Sequence, residues 1–167
     1  MRSSVLWVLL LSSLASNVWL SRRVSKLEKT PAAVAAPADY PLGEQMGYMQ
    51  RYADKLWFAG KQGNWELAKF YQGEITETAE DIAHAKVVKD GIAVGSLLGS
   101  RLPPVVEMVD QAVEEKDPVK FEAGYRAMVE SCNACHAATE HAFIRVAVPA
   151  GPPAHWNQEF HKAGEGG

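Results

Sequence analysis

The chain has 167 residues, of which 47% are hydrophobic, so it is long and apolar enough for one globular domain and is not a disordered protein. The formal net charge of -3 argues against a nucleic-acid partner, because binding to phosphates needs an excess of Lys and Arg. The two cysteines cannot build a disulfide framework, but they can form one disulfide, one redox pair or one cofactor attachment site.

Residues 1–24 have the features of a targeting segment. Arg2 precedes a short apolar run at 5–11, and the small residues Ser13 and Ala15 follow at the spacing that a signal peptidase accepts. The whole apolar stretch is short for a membrane span, and serines interrupt it. A cleaved signal peptide and an uncleaved inner-membrane anchor both stay open, with the anchor slightly favoured. Either one predicts a periplasmic protein.

A Pro/Ala-rich stretch without periodicity at 25–39 indicates a semi-extended linker. The folded domain is predicted at 40–145, and an irregular C-terminal tail at 146–167. No sequence repeat is evident.

Four helices are predicted in the folded domain from apolar residues at spacings of three and four. The first helix begins near Pro41 and is ended by Gly60 and Gly63, and the second runs from Trp65 to about Val87. The third begins at Pro103, and the fourth runs from Pro118 to about Glu140. Asn64 and Asp117 are predicted N-caps, and the glycine-rich residues 90–102 are predicted to form a loop. Strand signals are lacking. The predicted fold is therefore all-α, an antiparallel up-down-up-down four-helix bundle.

The residues predicted to face the core form one stripe on each helix. They are Leu42, Met46, Met49, Ala53, Leu56 and Gly60; Trp65, Ala68, Tyr71, Ile75, Ala79 and Ile82; Val105, Met108, Val109, Ala112 and Val113; and Phe121, Tyr125, Met128, Cys132 and Cys135.

Both cysteines lie in the motif Cys132-Asn133-Ala134-Cys135-His136, the C-x-x-C-H signature of covalent haem attachment. The thiols would form thioethers with the haem vinyl groups, and His136 would bind the iron. On a helix these three side chains share one face, since they stand at i, i+3 and i+4. The predicted cofactor is one covalent haem c per chain, carried on the C-terminal helix.

Three other interpretations of the cysteines each predict a different context. A thioredoxin-like redox pair should follow a strand, and no strand precedes this motif. A zinc site needs further ligands, for which His141 is the candidate. A disulfide within one helical turn would be strained. Haem attachment is favoured over all three.

Met46 is the predicted ligand on the other side of the iron. In the predicted bundle the end of the last helix is level with the start of the first. His136 and Met46 each lie about four residues from those ends, so they reach the same height. Met49 lies ~4.5 Å deeper and suits packing under the haem edge. The alternative for Met46 is ordinary core packing.

The predicted domain has four helices, the C-x-x-C-H motif on its last helix and a methionine near the start of its first. In these features it resembles the class II c-type cytochromes, which include the cytochromes c-prime and their low-spin, methionine-ligated relatives. The resemblance covers about Tyr40 to Arg145, and the stretches 55–60 and 63–65 are similar to a small group of bacterial haem-c proteins. It implies a homodimer that pairs through helices 1 and 2. About thirty residues follow the motif here, in contrast to the family, and Phe143, Arg145 and the segment 156–160 are expected to fold over the haem edge.

Electron transfer between redox partner proteins, without enzymatic activity, is the predicted function, because an iron held by His136 and Met46 has no open position. If Met46 only packs, the iron is five-coordinate and binds nitric oxide or carbon monoxide. A peroxidase-like enzyme ranks lower, since the first helix offers no acid-base group. Arg145 is either the partner of a haem propionate or a solvated charge. The remaining histidines, His84, His141, His155 and His161, are predicted to lie on the surface.

Overall fold

The structure, a computed structural model, describes residues 40–162, which contain five helices and no named strand. The helices are α1 (Leu42–Lys61), α2 (Trp65–His84), α3 (Val94–Arg101), α4 (Pro103–Glu114) and α5 (Pro118–Ala138). The domain is all-helical, as predicted, and is compatible with a helical bundle. The predicted targeting segment at 1–24, the predicted linker at 25–39 and residues 163–167 lie outside the described residues. No helix within 40–162 is long and apolar enough to cross a membrane.

Side-chain caps start two of the long helices where the sequence predicts them. The Asn64 side chain accepts a hydrogen bond from the Leu67 N–H at 3.2 Å. The Asp117 carboxylate accepts from the N–H groups of Val119 and Lys120 at 2.9 and 3.0 Å. Each cap satisfies backbone donors that have no partner inside the helix and contributes about 1 kcal/mol. The predicted ends are two or three residues too long, since α2 ends at His84 and α5 at Ala138.

Gly60 was expected to help end the first helix, but α1 continues through it to Lys61. The helix ends at the turn containing Gly63, whose φ of 68° favours glycine. Gly60 itself is buried, and a Cβ there would lie 2.2 Å from the ring of Phe121. Its role is therefore to let α1 approach α5.

Most predicted inward positions are buried. α1 packs against α2, α4 packs against α5, and α2 also contacts α3 and α4. The largest fully buried side chains are Tyr125, Phe121, Leu56, Ile75, Ile82, Met128 and Val109. Every one of these belongs to a predicted stripe.

The loop predicted at 90–102 is wrong for most of its length, because Val94–Arg101 form α3. Val94, Leu98 and Leu102 stand four apart and are all buried, so this segment covers the core with one helical face. A Cβ at Gly95 would lie 2.7 Å from the Ile82 carbonyl oxygen. The glycine permits close packing on α2 and does not signal a loop.

Met108 was predicted to face the core but is 50% exposed, whereas Val106 is 6% exposed. A Cβ at Gly124 would meet the backbone of Met108 and of Val109 at 3.3 Å. The backbones of α4 and α5 therefore approach each other at this level, and the Met108 side chain is left outside the contact.

The tail beyond α5 contains no helix or strand up to residue 162, as predicted. Its aromatic residues pack on α1: Trp156 and Phe160 lie 6.3 and 5.4 Å from the Phe58 ring. Gln158 exchanges hydrogen bonds with the Tyr71 hydroxyl on α2.

Candidate functional site

A cavity of about 390 Å³ contains all four predicted haem-site residues in its wall. Cys132, Cys135 and His136 line it from α5, and Met46 lines it from α1. The other residues of the wall are mainly apolar: Leu42, Gly43, Gly47, Met49, Gln50, Ala53, Ile75, Lys89, Val94, Leu102, Met128, Thr139, His141, Ile144 and Val146.

The α5 wall carries the attachment motif on one helical face. Cys135 is 7% exposed, while Cys132 and His136 are half-buried. Both cysteines are free thiols. The helix therefore presents two sulfur atoms and an imidazole to the same space, as their spacing predicts.

The environment of the thiols is unlike that of a reactive dithiol. Burial raises the pKa of the Cys132 thiol to about 11, and the nearby Cys135 adds to the rise. Burial also raises the pKa of Cys135, although Arg101 opposes this. Redox-active C-x-x-C pairs depend on a lowered thiol pKa, because the thiolate is the nucleophile. Both thiols here are protonated near neutral pH.

The His136 ring is oriented by a hydrogen bond to the backbone of Ile144, which also lines the cavity. Nδ1 lies 2.9 Å from the carbonyl oxygen of Ile144. A carbonyl oxygen only accepts, so Nδ1 must hold the proton and donate it. The lone pair is then left on Nε2, which is the arrangement that metal-binding histidines use.

Residues 139–146, here called the return segment, reverse the chain after α5 and bring Ile144 to that position. Asn133 donates to the Val146 carbonyl at 2.9 Å and accepts from its N–H at 2.8 Å. The His141 N–H donates to the His136 carbonyl at 2.7 Å. Asn133 of the attachment motif thus holds the return segment, and the return segment orients His136 of the same motif.

Two glycines flank Met46 in the α1 wall of the cavity. Gly43 and Gly47 line the cavity on either side of it in sequence, and a Cβ at either glycine would meet nothing within 4 Å. A glycine inside a helix costs about 0.5–1 kcal/mol relative to alanine. Two glycines on this face leave room for a flat ligand to lie close to α1. Met49 also lines the cavity and is buried.

Lys89 alone carries a permanent charge among the described residues that line the cavity. It belongs to a tight turn in which Lys89 and Ile92 exchange two backbone hydrogen bonds of 2.9 Å. Asp90 and Gly91 have φ values of 51° and 79°, as a two-residue hairpin turn requires. Lys89 is not among the residues predicted from the sequence, and the Asp90-Gly91 pair after it is the signal that could place it at a hairpin turn.

Of the four histidines predicted to lie on the surface, one lies elsewhere. His141, predicted on the surface, is half-buried and lines the cavity, whereas His84, His155 and His161 are exposed as predicted.

None of the residues expected to cover the haem edge lines the cavity. Phe143 is 80% exposed, Arg145 is exposed, and residues 156–160 pack elsewhere. Ile144 and Val146 of the return segment take that place.

Within residues 40–162 no three side chains of His, Cys, Asp or Glu are grouped as a metal ion would need. The donor set does fit a haem, because the porphyrin supplies four nitrogens and the protein supplies only axial ligands. Comparisons with protein-family models, with curated proteins and with solved structures find no match to this chain.

Proposed function

We propose that this protein is a single-haem c-type cytochrome that carries electrons between redox partner proteins in the periplasm. The observation that carries the proposal is that Cys132, Cys135, His136 and Met46 line the same cavity. Bound haem would supply a one-electron couple between ferric and ferrous iron. The fold would then be the antiparallel four-helix bundle of the class II c-type cytochromes, with the haem on α5.

Each residue of the site has a distinct role in this proposal. The sulfur atoms of Cys132 and Cys135 would hold the haem covalently, so that it is retained in both oxidation states. His136 would bind the iron through Nε2, with its ring fixed by the Ile144 carbonyl. Met46 would bind from the opposite side, and a thioether ligand raises the reduction potential.

Electron transfer is preferred to an enzymatic role because two axial ligands leave the iron no open position for a substrate. An apolar wall also suits a carrier, since it excludes water and keeps the change in solvation on reduction small.

Binding of nitric oxide or carbon monoxide is the second candidate. It is favoured by the space that Gly43 and Gly47 leave beside Met46, which would admit a diatomic molecule if Met46 did not bind the iron.

The absorption spectrum of the protein, produced in cells that mature c-type cytochromes, tests both candidates. Electron transfer predicts a low-spin spectrum in both oxidation states that carbon monoxide does not change. A high-spin spectrum that shifts with carbon monoxide would favour gas binding. Protein without any haem band would refute both.

Replacement of Met46 tests its role as a ligand, with Met49 as the matched control. We expect Met46→Ala to become high-spin and to bind carbon monoxide, because it removes the sixth ligand. Met49→Ala should remain low-spin but lose about 2–5 kcal/mol of stability, since it removes a buried side chain. A low-spin Met46→Ala protein would show that another residue is the ligand.

A further inference from the structure

Asn133 lies between the two cysteines of the attachment motif and uses its whole carboxamide group on one residue beyond the helix. Its Nδ2 donates to the Val146 carbonyl at 2.9 Å, and its Oδ1 accepts from the Val146 N–H at 2.8 Å. Val146 is 9% exposed, so these bonds also satisfy backbone groups that are withdrawn from water. Two parallel bonds fix the direction as well as the position of this backbone.

Few other contacts hold this part of the return segment to α5. In the described part of the chain, residues 142–146 make hydrogen bonds to α5 through two of its side chains, Asn133 and His136. Phe143 is 80% exposed, so its burial does not anchor the segment. Together with the buried side chain of Val146, Asn133 is therefore the main anchor.

The His136 ring depends on the same segment for its orientation. Its Nδ1–H donates to the Ile144 carbonyl at 2.9 Å, and Ile144 stands two residues before Val146. Two residues span at most about 7 Å of chain, so the fixed Val146 backbone limits where that carbonyl can lie. Asn133 and His136 stand at i and i+3 on α5 and hence on one face of the helix. The four residues form a closed ring of contacts that begins and ends on α5.

The other polar contacts at this end of α5 hold the backbone and not the imidazole ring. The Thr139 hydroxyl donates to the carbonyls of Cys135 and His136 at 3.1 and 3.2 Å. The His141 N–H donates to the His136 carbonyl at 2.7 Å. Within residues 40–162, the hydrogen bond of the ring itself goes to the return segment, which Asn133 anchors.

We propose that Asn133 is a positioning residue that lowers the reduction potential of the haem by holding the Ile144 carbonyl against the Nδ1–H of His136. This rests on the proposed function. A carbonyl that draws on the Nδ1 proton makes Nε2 a stronger electron donor to iron, and a stronger donor favours the ferric state. The redox step itself is unchanged: ferric iron takes one electron from the donor and becomes ferrous, and no proton or bond is exchanged with Asn133.

Replacement of Asn133 by leucine is the test, because leucine has the same branching at Cγ and no hydrogen-bonding atoms. The potential of the haem-loaded proteins is measured by spectroelectrochemistry. We expect Asn133→Leu to raise the ratio of ferrous to ferric protein at a fixed potential by up to about tenfold, the most that one hydrogen bond contributes in net terms. Ser131→Ala is the matched control on α5. It removes a hydrogen bond of 3.2 Å to the Arg101 carbonyl and should leave the ratio unchanged.

The Nδ1–H of His136 gives a direct readout by proton–nitrogen NMR of the ferrous, low-spin protein. In the wild type this proton should exchange slowly with solvent, and in Asn133→Leu it should exchange faster. Ile144→Ala separates orientation from burial, because it retains the carbonyl and shortens a side chain of the cavity wall. It should keep the slow exchange and lower the ratio of ferrous to ferric protein, since water that enters stabilises the ferric charge.

Asn133→Asp is a second variant, which carries the test if Asn133→Leu does not fold or retain haem. It keeps the acceptor for the Val146 N–H and loses the donor to the Val146 carbonyl, so the Nδ1–H of His136 should exchange at an intermediate rate. Exchange as slow as in the wild type in these variants, or a potential of Asn133→Leu that is unchanged or lower, would overturn the proposal.

These outcomes are distinct from failure of the proposed function, which the wild-type protein alone decides. A wild type without haem, or with high-spin iron that binds carbon monoxide, refutes the electron carrier before any variant is compared.

Discussion

Lys89 is the cationic side chain of the cavity wall and would be the partner of a carboxylate on the proposed haem. A haem carries two propionates, and their charge needs either solvent or a cation nearby. The hydrogen-bonded turn between Lys89 and Ile92 fixes the backbone of this residue at the cavity. Arg145, the cation suggested by sequence, is exposed and outside the wall.

We expect Lys89→Gln to lower the reduction potential, because loss of a positive charge beside the haem favours the ferric form. An ion pair near the surface is worth at most about 1 kcal/mol, which corresponds to about 40 mV for one electron. Arg145→Gln is the control and should leave the potential unchanged. If only Arg145→Gln lowers it, the propionates lie on the side of the return segment and not near Lys89.

The motif residues were predictable because helical periodicity alone places Cys132, Cys135 and His136 on one face. Met46 could be placed beside them because bundle geometry relates the ends of two helices. Lys89 and His141 could not be placed in this way. Their positions depend on a two-residue turn and on the reversal at Glu140, whose φ is 63°. The spacing of apolar residues does not indicate such turns, so it does not predict where the residues beside them lie.

At the scale of elements, α1 forms one wall of the cavity, and two of the residues in that wall are glycines without side chains. Gly43 and Gly47 weaken the helix, yet both line the cavity, where a longer side chain would occupy space that the proposed haem would use. Gly73 provides a matched comparison within α2. It is exposed, a Cβ there meets nothing within 4 Å, and it does not line the cavity.

We expect Gly47→Leu to lower the ratio of haem to protein and to weaken the low-spin spectrum, because the new side chain fills the cavity beside Met46. Gly73→Leu should retain the full haem content. Both replacements should raise helix stability by up to about 1 kcal/mol, which thermal unfolding followed by circular dichroism would measure. If the two variants have equal haem content and equal spectra, the ligand does not occupy the α1 side of the cavity.

The return segment shows how one element depends on another. Asn133 holds Val146 by two hydrogen bonds, and the segment so held supplies the carbonyl that orients His136. The attachment motif therefore fixes its own histidine through residues that follow it in the chain. The sequence predicted a helix end here but not this contact, because an asparagine on a helix surface carries no periodic signal.

At the scale of the whole molecule, the apolar stripes predicted an all-helical domain correctly, since helix burial follows a 3.6-residue period. Three errors, at the end of α1, at the loop predicted for 90–102 and at Met108, share one cause. Glycines at 60, 95 and 124 act as close contacts between helices, and contacts between elements cannot be recognised from local propensity. For this reason the sequence predicts a loop where α3 forms and a core position for Met108, which is exposed.

The C-terminal tail covers part of the surface formed by α1 and α2. Phe160 is buried against Phe58, Gln158 bonds to Tyr71, and Asn64 donates to the His161 carbonyl at 3.1 Å. In the family that the sequence resembles, helices 1 and 2 form the dimer contact. The tail therefore lies on a surface that pairing through these helices would use, and it follows a motif that lies close to the chain end in the family that the sequence resembles.

We expect a chain ending at Pro153 to keep its haem spectrum, because no described residue after 153 lines the cavity. It should lose about 3 kcal/mol of stability or more, the usual cost of removing one buried phenylalanine, and full-length Phe160→Ala should reproduce most of that loss. Exposure of Phe58 and Tyr71 should also strengthen self-association relative to the full chain, as sedimentation would detect. A truncated chain with unchanged stability and unchanged self-association would show that the tail contributes neither packing nor protection to α1 and α2. A changed haem spectrum would instead place the tail in the site, because the cavity residues themselves are intact in this variant.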